Sequence, residues 1–358
     1  MNTPTVTPGS SGSSVGGRRP FMRSLAAWAL GLALVATCGA VAAASKTKAA
    51  YDYYLTGSDI DVVVPQPVKP SAVLMGGGPD VDAAFQWMIQ KSGGGNFMVI
   101  RATGADGYNP YIYAMGGVTS VETLVIKNSE AAADPFVLDR VGKAEALFIA
   151  GGDQSDYIKL WKGTPLETAL KDLMRRNVPI GGTSAGLAVL GQFDFAALNG
   201  TITSAQALAN PYERSMTLDR DFLVAPALGN TVADAHLDSR DRMGRLLTFV
   251  ARTIQDGWVG ADAARGIGID VETALLVDDG VATRVGVGSV YFLHPTIAPT
   301  VCVPKQPLTF RNVLVQRLSG AGRFDLGRWV GLAGAVSSYD ISAEVGVLIS
   351  SQPGGAIY

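Results

Sequence analysis

Between residues 71 and 191 the chain repeats one pattern: a short apolar run, a glycine-rich break, then apolar positions at helical spacing. After a polar entry punctuated by Pro65, Pro67 and Pro70, the run 71–75 ends in Gly76-Gly77-Gly78, and residues 81–91 carry a helical period. Residues 97–101, 122–126 and 146–150 read as strands, the last ending in Gly151-Gly152-Asp153-Gln154, with helical patterns around 158–161 and 166–176. Strand, glycine loop and helix in repetition predict parallel βαβ units covered on both faces. Met243, Leu246, Leu247 and Val250 then give residues 240–252 an apolar stripe under a basic face, which predicts an amphipathic helix. Residues 266–270, 274–277, 281–287 and 290–293 read as successive short strands, and the chain from about 294 onward is β-rich and proline-punctuated.

One of the glycine breaks carries chemistry. The run 178–181 enters Gly182-Thr183-Ser184-Ala185-Gly186, and an Ala/Leu-rich helical pattern leaves it. A serine at so tight a strand-to-helix turn is held out from the backbone, with small residues two before and two after to let the chain bend. The following helix would aim N–H groups and its positive end at charge developing on an attacked carbonyl oxygen. This predicts a nucleophile elbow for acyl transfer. In parallel sheets ligands gather at the carboxyl ends of the strands, so the Gly76 and Gly151 loops are expected to open beside Ser184.

Composition narrows the setting. With 47% hydrophobic and 17% charged residues in 358, the chain is globular rather than disordered. Its start differs: a Ser/Gly/Pro-rich stretch precedes Arg18-Arg19-Pro20-Phe21-Met22-Arg23, an apolar run over 25–36, and Ala42-Ala43-Ala44. Residues 1–44 therefore read as an export signal of twin-arginine character, with a lipid anchor at Cys38 ranked behind soluble export to the periplasm or beyond. The apolar run is short for a membrane span, so none is expected after processing. Removal of 1–44 takes three arginines and no acid, moving the formal net charge from −2 to −5. A mildly acidic surface without basic blocks argues against nucleic acid as partner. Cys302 would be the sole remaining thiol, so the fold must stand on its core. Residues 45–70 are expected to form a polar entry segment and 71–358 one α/β domain.

A serine nucleophile needs a base, and only His236 and His294 are available. His236 ends an apolar stretch and has Asp234, Asp238 and Arg240 as neighbours, whereas His294 precedes Pro295 without polar companions. His236 is preferred as base. Asp234, Asp238, Asp270 and Glu272 are the candidates to orient it, and sequence alone does not choose. An α/β-hydrolase pairing Ser184 with His294 remains the rival arrangement.

Five segments resemble the cyanophycinases and related serine peptidases of family S51, relatives of peptidase E: Gly76-Gly77-Gly78, Gly151-Gly152-Asp153-Gln154, Gly181 to Gly186, Asp234-x-His236 with Arg240, Arg242 and Arg245, and Gly266-Ile267-Gly268-Ile269-Asp270. The resemblance covers about residues 71–293. It implies a three-layer, class I glutamine amidotransferase-like (flavodoxin-like) α/β fold with a mostly parallel sheet. It implies Ser184 as nucleophile, His236 as base, and Gln154, Asp153, Asp234, Arg240, Arg242 and Arg245 around the substrate. It also implies cleavage next to aspartyl residues; cyanophycinases release β-aspartyl-arginine dipeptides from a polymer with an aspartate backbone.

The residues fit such chemistry. One or two of the arginines can hold substrate carboxylates through paired N–H bonds, while another forms structural ion pairs. Gln154 can bond a substrate amide, and the N–H groups of Gly152 and Ala185 are the expected oxyanion donors. Two departures from the family pattern stand out. Ala235 and Leu237 flank the histidine where the family has Gln and an aromatic, and Val271 occupies the place of the triad glutamate. Glu272, one position on, is the first choice for the third member and Asp270 the second, although strand alternation turns Glu272 to the other face unless a bulge intervenes. The expectation is thus an exported serine peptidase acting on aspartyl peptides or a cyanophycin-like polymer, without cofactor or metal, a homodimer being among its expected assemblies. The alternatives are a binding homologue that has lost its triad acid and an esterase using His294.

Overall fold

A computed structural model of the chain describes residues 49–65 and 69–358. The expected export signal and Cys38 lie outside the described residues. The first repeats fold as their pattern requires. β2 (Ser71–Met75), β3 (Asn96–Arg101), β4 (Ser120–Ile126), β5 (Ala146–Ile149) and β6 (Ile180–Thr183) form a parallel block in the order β4-β3-β5-β6-β2. Alternation along each strand feeds two cores. Leu74, Met98, Ile100, Leu147 and Ile149 face one side, and Val73, Met75, Val99 and Phe148 face the other.

Helices cover both faces. On one side lies α1 (Asp82–Ser92), burying Phe85, Met88 and Ile89 and stopped by Gly93 at φ 75°, together with α2 (Tyr108–Tyr113). On the other lie α3 (Pro135–Gly142), α4 (Gln154–Trp161) and α5 (Pro165–Arg175), burying Val137, Trp161 and Leu170 among others. α3 starts where Pro135 follows Asp134, whose carboxylate accepts the N–H groups of Phe136 and Val137.

Around this block the structure departs from expectation. Residues 45–70 are more than an entry segment, because β1 (Tyr51–Gly57) pairs antiparallel with β4 along its whole length. Tyr53 donates to the buried Glu122, which also holds Arg140. The sheet is mixed rather than mostly parallel. β11 (Thr273–Asp278), β12 (Val281–Gly286), β15 (Arg323–Asp325) and β16 (Val330–Ala333) extend it to ten strands, all antiparallel.

A second, eight-stranded sheet was not visible in the pattern. It orders β18 (Val347–Ser350), β17 (Val336–Glu344), β14 (Phe310–Leu318), β13 (Val290–His294), β10 (Arg265–Ile269), β9 (Thr231–Asp234), β7 (Phe193–Phe195) and β8 (Leu218–Arg220). Its core joins Phe193, Phe195 and Leu293 to α8 (Met243–Gln255), with α7 (Ser204–Ala209) alongside. The β-rich end of the chain is therefore divided between both sheets instead of forming an appendage. No helix among the described residues is long and apolar enough to cross a membrane. Cys302 is buried, which pushes its thiol up to about 12.

Candidate active site

The elbow is built as its small residues dictate. Ser184 follows β6 at φ 53° and ψ −113°, a left-handed conformation that costs a non-glycine residue about 1–3 kcal/mol. A Cβ on Gly182 would lie 2.4 Å from the Gly186 carbonyl carbon, and one on Gly186 would lie 2.1 Å from the Ile149 oxygen. Both positions must stay bare for the turn to close. The helix that follows, α6 (Ala185–Ala188), is a single turn rather than the longer helix expected. Any oxyanion stabilisation therefore rests on individual N–H groups more than on a long helix dipole.

Three loops converge on the serine. Ser184 N–H donates to the Met75 carbonyl, and a Cβ on Gly151 would sit 3.5 Å from the Ser184 Cβ. Ser184 Oγ lies 2.9 Å from Nε2 of His236, across 52 residues of chain. His236 follows β9 at φ 51°, and its N–H donates to the Gly76 carbonyl. Gly77 lies flush on the imidazole: at φ +85°, its Cβ would come within 2.4 Å of Nε2. The first glycine loop thus seats the histidine, a role its sequence did not disclose.

Charge sets the state of the base. Burial, and then the guanidiniums of Arg240 and Arg242, lower the His236 pKa to about 4 against a partial opposing pull from Asp234. The imidazole is neutral at pH 7 and can accept the hydroxyl proton. His294, by contrast, bonds the Asp262 carbonyl through Nε2 on β13, so the rival pairing is not formed.

The expected third member is not in place. Glu272 is exposed, sits at φ 52° in the turn between β10 and β11, and makes no side-chain hydrogen bond with His236. Its backbone does the holding instead: its N–H donates to Gly77 and its carbonyl accepts from Val287. Asp270 is buried; one oxygen accepts from Ser289 N–H, the other has no partner, and desolvation raises its pKa to about 6. Asp238 accepts from Val271 N–H. Among the described residues no carboxylate hydrogen-bonds His236.

The arginines divide their labour. Arg245, 2% exposed, grips Asp234 through both Nε and Nη2 at 2.7 and 2.6 Å and donates Nη1 to Thr201 and Ile202. That pair ties β9 to α8, so Asp234 and Arg245 are structural partners rather than free substrate contacts. Arg240 and Arg242 precede α8, which begins only at Met243, so they do not share a helical face with Arg245. Arg242 donates Nη1 to the Ala235 carbonyl at 2.8 Å, and its pKa falls to about 10, chiefly through burial. Arg240 is exposed.

A pocket of about 230 Å³ holds Ser184 and is lined by Arg240, Arg242, Gly152, Gln154 and Ala185 among others. Gln154 reaches it but donates Nε2 to the Phe195 carbonyl, and Asp153 spends one oxygen capping α4 at Ser155. Ala197, Gly200 and Thr201 also line it and were missed by motif reading. The signal that could have found them is the capping box of Thr203 and Gln206, which places that loop just before α7.

The family model of peptidase family S51 matches residues 107–208, a stretch that holds the Gly151 loop and the elbow but stops before His236. A cyanophycinase from Trichormus variabilis is 29% identical over 225 residues, 60% of this chain and 68% of the relative. A cyanophycinase from Synechococcus elongatus is 28% identical over 217 residues, 59% of this chain and 62% of the relative. The crystal structure of a peptidase from an acI-B1 actinobacterium superposes with a TM-score of 0.48 at 17% identity, covering 73% of this chain and 98% of that one. Over part of its length the chain is thus similar to peptidase family S51 and to cyanophycinases.

Proposed function

We propose that the chain is an exported serine peptidase that opens peptide or isopeptide bonds next to aspartyl residues, with cyanophycin-like polymer or its β-aspartyl dipeptides as substrate. The observation that carries this reading is the 2.9 Å contact between Ser184 Oγ and His236 Nε2 on a strained elbow. Ser184 attacks the carbonyl carbon while His236 takes its proton and passes it to the leaving amine. Gly152 and Ala185 stand at the pocket wall as oxyanion donors, and Arg240 and Arg242 receive the substrate's carboxylates. The three-layer, class I glutamine amidotransferase-like description of the parallel block, and export through residues 1–44, belong to the same reading.

Purified protein incubated with cyanophycin, and separately with β-aspartyl dipeptides, is expected to release products from at least one. A fluorophosphonate probe is expected to label Ser184, with labelling and turnover both lost in Ser184→Ala. Turnover that survives in Ser184→Ala, or that disappears in His294→Ala but not in His236→Ala, would refute the assignment.

A further inference from the structure

Arg245 spends its donors on Asp234, Thr201 and Ile202. Arg240 makes no side-chain hydrogen bond or ion pair among the described residues, and Arg242 bonds only the Ala235 carbonyl, with Asp234 3.6 Å away. Both line the pocket that holds Ser184. The same two guanidiniums bear on His236, and little opposes them. The Gly76–Gly78 loop against the imidazole is uncharged and Asp234 is matched to Arg245. Asp270 is held by Ser289, Asp238 by Val271, and Glu272 is exposed. Asp153, on the same pocket, caps Ser155, so no carboxylate among the described residues bonds the imidazole as a triad acid bonds an imidazolium.

We propose that the substrate supplies a compensating charge: a carboxylate seated on Arg240 and Arg242 neutralises them and makes His236 a stronger base, so the anion promotes the chemistry as well as anchoring the substrate. The inference rests on Ser184 and His236 being nucleophile and base. As the Oγ–carbon bond forms, the hydroxyl proton passes to Nε2, and it leaves on the amine as the carbon–nitrogen bond breaks. Water then attacks the acyl-enzyme, giving one proton to Nε2 that returns to Oγ as the acid departs. An imidazolium arises in each half, and each is disfavoured while the guanidiniums stand bare. Burial and these arginines hold the histidine at about 4, well below the value best suited to a base at neutral pH. An anion that only anchors is rewarded in KM, whereas one that activates the base is rewarded in kcat.

The test is steady-state kinetics from about pH 4 to 9 on a β-aspartyl dipeptide and its α-carboxamide counterpart, with fluorophosphonate labelling in parallel. The carboxamide is expected to lose about tenfold in kcat besides any change in KM. With the acid dipeptide, the acid limb of kcat is expected about one pH unit above that of kcat/KM, since filling the arginines raises the histidine's pKa. Arg240→Gln should close that gap by raising the kcat/KM limb, and Arg240→Lys should preserve it. Coincident limbs in the unaltered protein, or a carboxamide that loses only in KM, overturn the activation while labelling of Ser184 leaves the serine reading intact. Absence of labelling and turnover at every pH removes that reading and the activation with it.

Discussion

The elbow and the segment from Asp234 to Arg245 meet at one hydrogen bond, yet they are specified in different ways. The elbow is a backbone object. Its bend, its bare glycines and the strain at Ser184 follow from five consecutive residues and the strand before them. The second segment is an electrostatic object, whose arginines take opposite roles according to how deeply each is buried and which carboxylate it reaches. Local geometry is inherited from local sequence, whereas the meaning of a charge is assigned by the whole fold.

The comparison sharpens under substitution, first at the elbow. Ser184→Ala should lower turnover by at least ~10³-fold with little change in melting temperature, and Ser184→Gly should be equally inactive but more stable by about 1 kcal/mol, because glycine accepts the positive φ. Thermal denaturation beside activity assays checks both. Arg245→Leu strands the buried Asp234 carboxylate and should destabilise by about 3–5 kcal/mol in denaturant titration. Gly77→Ala presses on the imidazole and should cost about 10²-fold in kcat/KM, through misplacement of the base. Retained activity there would mean that the loop can retreat.

Acid should erode stability in a defined window. His236 has its pKa lowered from 6.5 to about 4 in the fold, so its contribution is full above 6.5 and is lost as pH falls toward 4. The loss is about 3 kcal/mol, measured by denaturant titration, and should vanish in His236→Asn. Asp270, raised to about 6, acts with the opposite sign, its contribution fading as pH rises through 6. The measurement is therefore cleanest in Asp270→Asn. Smallest of all, Arg240→Gln should change stability by no more than about 0.5 kcal/mol, since its side chain is exposed. A loss as large as that of Arg245→Leu would end the contrast between the two arginines.

Legibility followed the same division. The strands of the parallel block, the elbow and the two glycine loops beside it came from apolar period and small-residue spacing, and the choice of His236 over His294 from their polar neighbours in sequence, all of them local signals. Sequence divided Arg240, Arg242 and Arg245 between substrate and structural roles without saying which took which, and the start of α8 at Met243, with Asp241 at φ 46°, separates them. Glu272 looked like a partner for the histidine, but the left-handed turn it occupies sends β11 to the first sheet while β10 stays in the second. That parting of neighbouring strands hid the second sheet, because no period within a strand records which sheet will receive it. β1 escaped notice for a related reason: its tyrosines find their partners on β4 and α3, some 70 residues later.

That early strand covers the backbone edge of β4. Tyr51 stacks on Phe136 and Tyr53 meets the same ring edge-on, while the Tyr53 hydroxyl helps to hold Glu122 against Arg140. Loss of β1 would leave the N–H and C=O groups along that edge unpaired and invite self-association.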